Sequence, residues 1–186
     1  MKRALFVLGM LLTFGLFCAC SSDDESENVT DDSSERKLND LGGKLISPVQ
    51  EGDNFVATSD FFNSELPFGT YSKGFFVGSC EQSGEEVCYT INSKKELEDI
   101  YSGDKDLPEI DFQQYTLVIG ERIMPALGYK CAKQEIVYAT KDSDPVLNLY
   151  IENIYEYKPT ALSPLYFWGL YPIKHLSDIK INIILL

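Results

Sequence analysis

The residue types that most often carry out catalysis are few in this chain, and they lack the spacing of catalytic motifs. His175 is the only histidine, so a Ser-His-Asp or Cys-His site would have to use it. No Gly-x-Ser-x-Gly sequence accompanies it, and no cysteine lies in a sequence typical of a catalytic thiol. We therefore interpret His175 as a polar residue in a loop or at a strand edge, and we assign no catalytic residue.

Metal-binding motifs are also missing from the sequence. There is no His-Glu-x-x-His and no cluster of histidine with cysteine for zinc. The best calcium candidate, segment 104–111, has Pro108 at a ligand position and lacks the glycine of an EF-hand loop. We predict no metal and no cofactor. A pair of carboxylates for glycoside hydrolysis stays an alternative, because the fold sets the spacing of such pairs.

Seven aromatic residues lie within the 22 positions 150–171, and the only tryptophan, Trp168, is among them. Aromatic faces on a loop bind sugars or protein partners, whereas most large apolar side chains fill a core. We predict that a loop at 158–172 carries a binding surface formed by Tyr166, Phe167 and Trp168. Because successive side chains of an extended segment point in opposite directions, we expect Phe167 inward and Tyr166 or Trp168 partly exposed.

The charge balance restricts the class of partner. The chain has 29 Asp and Glu against 16 Lys and Arg, a formal net charge of −13. Such a surface repels the phosphates of nucleic acid, so we predict no nucleic-acid partner. A basic or neutral partner fits this charge better than an acidic one.

The first residues have the three zones of a secretory signal. Lys2 and Arg3 precede an apolar run over 4–17, and small residues surround Cys20. The apolar run is shorter than the roughly 20 residues that span a bilayer. Residues 1–19 are therefore predicted to be a signal peptide, either of a secreted protein cut near Ala19 or of an anchored one.

Phe17-Cys18-Ala19-Cys20 resembles the lipobox of bacterial lipoproteins, in which a cysteine becomes the lipidated first residue of the mature chain. Cys18 is a rival acceptor, but the bulky Phe17 before it disfavours cleavage there. We expect Cys20 to carry the lipid, with acyl chains such as palmitate. The acidic run that follows resembles the surface-export signal of lipoproteins from Bacteroidota-type bacteria. The resemblance implies a protein that is lipid-anchored in the outer membrane and faces the cell exterior.

The rest of the chain divides into a tether and one domain. Residues 20–40 hold the lipidated cysteine and an acidic, serine-rich stretch that is too poor in apolar residues to fold. Residues 41–186 have the length of a single domain with its own core.

Three cysteines lie in the domain: Cys80, Cys88 and Cys131. A disulfide is permitted outside the cytoplasm, and three cysteines can form at most one within the chain, so one thiol stays unpaired. A turn-like Ser-Gly pair lies between the first two, so we predict a hairpin of strands 75–80 and 87–91 that carries a Cys80–Cys88 disulfide. Cys131 remains a competing partner.

One short helix and several strands complete the prediction. Ser93 and Glu96 form a capping box before Leu97 and Ile100, and Gly103 is placed to end the helix. Residues 55–74 are expected to be loops. Period-two or β-branched patterns predict strands at 45–46, 115–120, 129–139, 146–157 and 179–183. The fold class is α+β and mostly β: an antiparallel sheet or sandwich, or a partly open barrel, with one short helix.

Residues 89–97, 110–112 and 115–118 together resemble small lipoproteins with a PrcB-like C-terminal domain, over about residues 87–186. Gly128 and Tyr129 lie where that family has a Gly-Tyr pair, although Leu127 replaces its usual second glycine. The resemblance implies an accessory or interaction domain without catalytic residues. We predict a non-catalytic binding module for a protein or a glycan. An enzyme with an unrecognised carboxylate site and a structural envelope component are the alternatives.

Overall fold

The computed structural model describes residues 42–155 and 160–186. The predictions for the signal peptide 1–19, for Cys20 and for the tether lie outside these residues. Within the described residues, no helix combines the length and apolar character needed to cross a membrane.

Two helices and seven strands make up the described part of the chain. The helices are α1 (Asp53–Glu65) and α2 (Lys94–Ile100). The strands are β1 (Lys44–Ile46), β2 (Glu86–Ile91), β3 (Thr116–Met124), β4 (Tyr129–Tyr138), β5 (Val146–Asn153), β6 (Ser163–Tyr171) and β7 (Lys180–Leu185). The predicted α+β, mostly β fold class is confirmed, with a second helix that the sequence analysis missed.

The strands form two sheets that pack face to face as a sandwich. One sheet has the order β1-β4-β5-β7 and the other has the order β2-β3-β6. Neighbouring strands are antiparallel except β5 and β7, which are parallel. Parallel neighbours need a crossover, and here the chain crosses through β6 of the other sheet.

Apolar side chains from both sheets fill the space between them. The alternate β5 residues Leu147, Leu149 and Ile151 are buried there and share one cluster with Phe167 of β6. Phe167 lies opposite Gly120 in the register of β3 and β6. A Cβ atom at Gly120 would overlap the Phe167 ring, so the close fit of this core depends on glycine at that position.

The outer face of the β2-β3-β6 sheet packs against the helices. Leu117 and Ile119 of β3 meet Phe62 of α1 and Leu97 of α2 in a second cluster, and all four are fully buried. The β2-β3-β6 sheet is therefore covered on both faces.

Helix α2 begins where the sequence predicts. The Ser93 hydroxyl accepts from the Glu96 N–H at 3.3 Å. The Glu96 carboxylate accepts from the N–H of Asn92 at 2.6 Å, one residue earlier than expected. The helix ends at Ile100, before Gly103.

Helix α1 occupies residues that were expected to be loops. Gly52 at its N-terminus provides no side-chain cap, so the usual start signal is missing. Thr58, Phe61 and Phe62 are nevertheless buried at helical spacing. Packing of this face against the sheet stabilises α1, which its local sequence alone does not specify.

The predicted strand 75–80 is wrong, because these residues form a turn. Phe76 and Gly78 have positive φ values of 56° and 71°. The Ser79 N–H donates to the Phe76 carbonyl at 3.0 Å. Strand β2 pairs with β3 instead, so the predicted hairpin does not form.

The predicted loop 158–172 is also wrong over most of its length. Residues 158–159 lie outside the described part, and Ser163–Tyr171 form β6, paired with β3 along its whole length. Pro164 suggested a loop, but an edge strand tolerates proline because one of its sides lacks a strand partner. The remaining predicted strands are confirmed to within a few residues.

Candidate functional site

A cavity of about 520 Å³ runs beside the open edge of β6. Residues 164–169 of β6 form its floor, residues 129–134 of β4 form one wall, and α1 with the segment after it forms the other. We call this cavity the edge groove. Its volume falls within the roughly 300–1,000 Å³ that is typical of ligand sites.

Trp168 is half-buried on the helix side of the groove. Its ring stacks on Phe62 at a centroid distance of 5.1 Å and on Phe55 at 5.9 Å. Such offset stacking holds an indole in one orientation. Trp168 is therefore a preformed part of the groove lining.

Tyr166 is half-buried two residues earlier on the same face. Its hydroxyl oxygen accepts from the Ser72 N–H at 2.7 Å, and its ring stacks on Phe76 at 6.0 Å. Burial raises the pKa of Tyr166 far above its ordinary value, and the nearby Glu121 carboxylate adds to this effect. The hydroxyl therefore stays protonated and holds the 72–76 segment against the sheet.

The three consecutive aromatics point as the sequence predicts. Phe167 is only 2% exposed and lies between the sheets, whereas Tyr166 and Trp168 are partly exposed on the opposite face. They belong to a paired strand and not to a loop. All three line the edge groove, and their role in binding remains a prediction.

Phe68 is a groove residue that the sequence analysis missed. It lies in the turn after α1 and is 52% exposed. Tyr71, three residues later, is 55% exposed but does not line the groove. The available signal was a large aromatic residue inside the turn-forming sequence Leu66-Pro67-Phe68-Gly69.

Lys130 and Lys133 are the only charged residues that line the groove within the described part of the chain. The Lys130 ammonium lies 2.8 Å from the Glu152 carboxylate, and the Lys133 ammonium lies 2.6 Å from that of Glu135. The walls therefore carry paired charge, in contrast to the acidic balance of the whole chain.

Gln134 connects the β4 wall to the floor of the groove. Its side-chain Nε2 donates to the carbonyl of Trp168. Its Oε1 is buried without a hydrogen-bond partner among the described residues. Gly169 permits this approach, because a Cβ there would lie 3.2 Å from Gln134 Nε2 and 3.0 Å from the Cβ of Pro48.

The predicted Cys80–Cys88 disulfide does not form, and Cys131 is free as well. Cys80 lies on the helix side of the sheet beside Glu121, whereas Cys88 packs into the core between the sheets. The sheet separates the two thiols because the predicted hairpin is absent. Burial raises the pKa of Cys88 to about 12 and that of Cys131 to about 11, so both remain thiols.

Two buried carboxylates stand out, Glu121 on β3 and Glu135 on β4, with 1% and 3% exposure. Burial raises the pKa of Glu121, although hydrogen bonds from Tyr166 and Cys80 oppose the shift. Glu135 accepts from the Tyr150 hydroxyl at 2.6 Å. The two carboxylates lie in different sheets.

The remaining sequence candidates lie away from the groove. His175 is exposed in the connection between β6 and β7, so its interpretation as a polar loop residue is confirmed. In residues 42–155 and 160–186, no group of three or more His, Cys, Asp or Glu side chains is arranged to hold a metal ion.

No family model, curated protein or solved structure matches the chain. The resemblance to lipoproteins with a PrcB-like domain therefore stays a prediction.

Proposed function

We propose that this protein is a non-catalytic binding module that takes its ligand, a protein or a glycan, in the edge groove. The observation that supports this proposal is a cavity of about 520 Å³ lined by the half-buried Trp168 and the exposed Phe68. Concave aromatic surfaces with a few polar groups are typical of ligand sites.

The groups on the groove walls favour binding over catalysis. They offer aromatic rings, the Gln134 amide and two lysines held in ion pairs. Cys131 also lines the groove, but its raised pKa of about 11 leaves it a weak nucleophile. These groups can orient a ligand, and none has the environment of an activated nucleophile.

Preorganisation of the groove also favours binding. Trp168 is already fixed between Phe55 and Phe62, at centroid distances of 5.9 Å and 5.1 Å. A ring that is ordered before the ligand arrives loses little conformational entropy on binding. Trp168 is therefore suited to be a central contact, with Phe68 at the rim.

The test compares Phe68→Ala with Tyr71→Ala as the matched control. Both rings are about equally exposed and only Phe68 lines the groove. Truncating a binding hot spot costs about 2 kcal/mol, or roughly thirtyfold in affinity. Crosslinking on intact cells followed by mass spectrometry should show partner capture that Phe68→Ala reduces and Tyr71→Ala retains. Equal capture by the two variants would contradict the groove as the binding site.

We also propose that the mature chain is attached to the outer membrane through a lipid on Cys20 and faces the cell exterior. The small Ala19 before this cysteine and the acidic run after it support the proposal. Cys20→Ala should abolish membrane retention and lipid labelling, and Cys18→Ala should leave both intact. The reverse result would move the lipid to Cys18. Protease treatment of intact cells tests the orientation.

A further inference from the structure

The open edge of β6 presents main-chain hydrogen-bonding groups to the edge groove. In an antiparallel pair, each residue directs its N–H and C=O to the same side, and successive residues alternate between the two sides. The carbonyls of Trp168 and Leu170 accept from Gln134 Nε2 and from the Val49 N–H, so these residues face away from β3. By the same alternation, Tyr166 directs both its N–H and its C=O into the groove. Trp168 directs its N–H into the groove as well.

The chain already pairs a segment of its own with one end of this edge. Strand β1 covers only positions 136–138 of β4, and the residues after it cross to β6. There the Val49 N–H donates to the Leu170 carbonyl at 2.7 Å. In the described part of the chain, no strand pairs with this edge of β6 at 164–168. The groove is thus the continuation of an edge that accepts extended polypeptide.

Gln134 adds a second, independent indication of a main-chain ligand. Its Nε2 donates a hydrogen bond to the Trp168 carbonyl, as the N–H of a paired peptide strand would. Its buried Oε1 lacks a donor among the described residues. A buried acceptor without a donor is costly, and a peptide N–H placed beside Trp168 would satisfy it.

The two walls suit the side chains of an extended segment. Such a segment directs successive side chains to opposite sides. One side would meet Phe55, Leu66 and Phe68, and the other would meet Tyr129 and Cys131. The wall charges are lysines that are already paired with carboxylates, so the groove offers a basic side chain no unpaired carboxylate, and burying its charge there would cost free energy.

We propose that the ligand of the edge groove is an extended segment of another polypeptide that pairs with Tyr166 and Trp168 as an added strand of the β2-β3-β6 sheet. The segment is proline-free, apolar at alternating positions and without basic side chains at its centre. Main-chain hydrogen bonds supply the affinity and the two walls supply the specificity. This inference rests on the proposed binding function and names its ligand class.

The experiment uses the full chain purified in detergent and a random library of short peptides without tryptophan. Trp168 is the only tryptophan and lines the groove, so its emission reports occupancy. Selected peptides should alternate apolar residues and change this emission. Phe68→Ala should lower the affinity for these peptides by about tenfold or more, and Tyr71→Ala should leave the affinity unchanged.

The decisive measurement is a scan of N-methyl groups along a selected peptide. Methylation removes one main-chain donor, so it should weaken binding by about tenfold at every second residue and little at the residues between. A lysine at the centre of the peptide should weaken binding as well. Equal effects at all positions, no effect at any position, or failure to select a peptide would overturn the inference.

Two further outcomes separate this inference from the proposed function. If oligosaccharides and not peptides change the Trp168 emission in a Phe68-dependent manner, the groove is a binding site and the ligand class is wrong. If sedimentation shows a dimer whose dissociation opens the groove, the occupant is a second copy of this chain, which also overturns the inference. If neither peptides nor oligosaccharides change the emission, both proposals fail.

Discussion

The two faces of the β2-β3-β6 sheet are built in different ways. The inner face packs mainly aliphatic side chains against the other sheet, around Phe167. Nearly all of these side chains belong to strands. The outer face is rich in aromatic rings, with Phe62 and Phe75 at its centre. It also buries a polar group, Glu121, beside Tyr166 and Cys80.

The difference shows where this molecule can carry function. The inner face is covered by a second sheet, whose apolar side chains fill the space against it. The outer face is covered by α1, α2 and the turns between them, and this cover ends at the edge groove. Its contacts also join distant parts of the chain, since Ser72 and Tyr166 are 94 residues apart. Binding therefore belongs at the rim of the outer layer.

Truncation of the inner face should have the largest effect on stability. Phe167 is buried opposite Gly120, and Phe167→Ala leaves a cavity there, so we expect a loss of about 3–5 kcal/mol in the free energy of unfolding. Denaturation in urea measures it. A loss below about 1 kcal/mol would show that the space between the sheets is loosely packed.

The buried carboxyl group of the outer face should make stability depend on pH. Glu121 has a raised pKa in the folded chain, so its contribution to stability is complete below the unfolded value and is lost as pH rises through the folded value. Glu121→Gln does not titrate. As pH rises above the unfolded value of about 4, the stability of the variant relative to the native chain should increase, by about 1.4 kcal/mol for each unit of the pKa shift.

Glu85→Gln is a control whose pH-dependent difference in stability from the native chain should have the opposite sign. The Glu85 carboxylate accepts from the N–H groups of Glu81 and Gln82 at 2.7 Å and 2.9 Å, which lowers its pKa. Its stabilisation is present at neutral pH and is lost as pH falls through the folded value. Urea denaturation should show the difference between Glu121→Gln and the native chain developing above about pH 4, and the difference for Glu85→Gln, of opposite sign, developing below it. Parallel pH profiles of the native chain and Glu121→Gln would show that Glu121 is hydrated in solution.

The smallest effect on stability is expected at the rim of the groove. Phe68 is 52% exposed, so Phe68→Ala should change the free energy of unfolding by no more than about 0.5 kcal/mol. Thermal unfolding monitored by circular dichroism measures it. A large loss would mean that Phe68 is part of the outer core, and its effect on partner capture could then not be assigned to binding.

Elements with a strong local pattern could be predicted from the sequence. The alternation of Leu147, Leu149 and Ile151 correctly predicts a strand with one buried face. Ser93 and Glu96 correctly mark the start of α2. In both cases the signal lies within one element, where side-chain periodicity or a capping bond acts over a few residues.

The missed elements depend on contacts between distant segments. Helix α1 lacks a capping side chain, and its Phe62 is buried only because the sheet lies beneath it. Strand β6 carries Pro164, which suggested a loop, and it is extended because it pairs with β3 over its full length. The edge groove could not be predicted for the same reason, since these two elements form it together with β4.

The sequence by itself determined which side chains point together: it placed Phe167 opposite to Tyr166 and Trp168, because alternation along an extended chain is a local property. Only the tertiary structure decided what each side meets. Strand order left the far edge of β6 open, and the turn at Phe76 placed Cys80 and Cys88 on opposite faces of a sheet. Strand order and layer packing arise from contacts across the whole chain, whereas the alternation of side chains follows from the backbone of each strand alone.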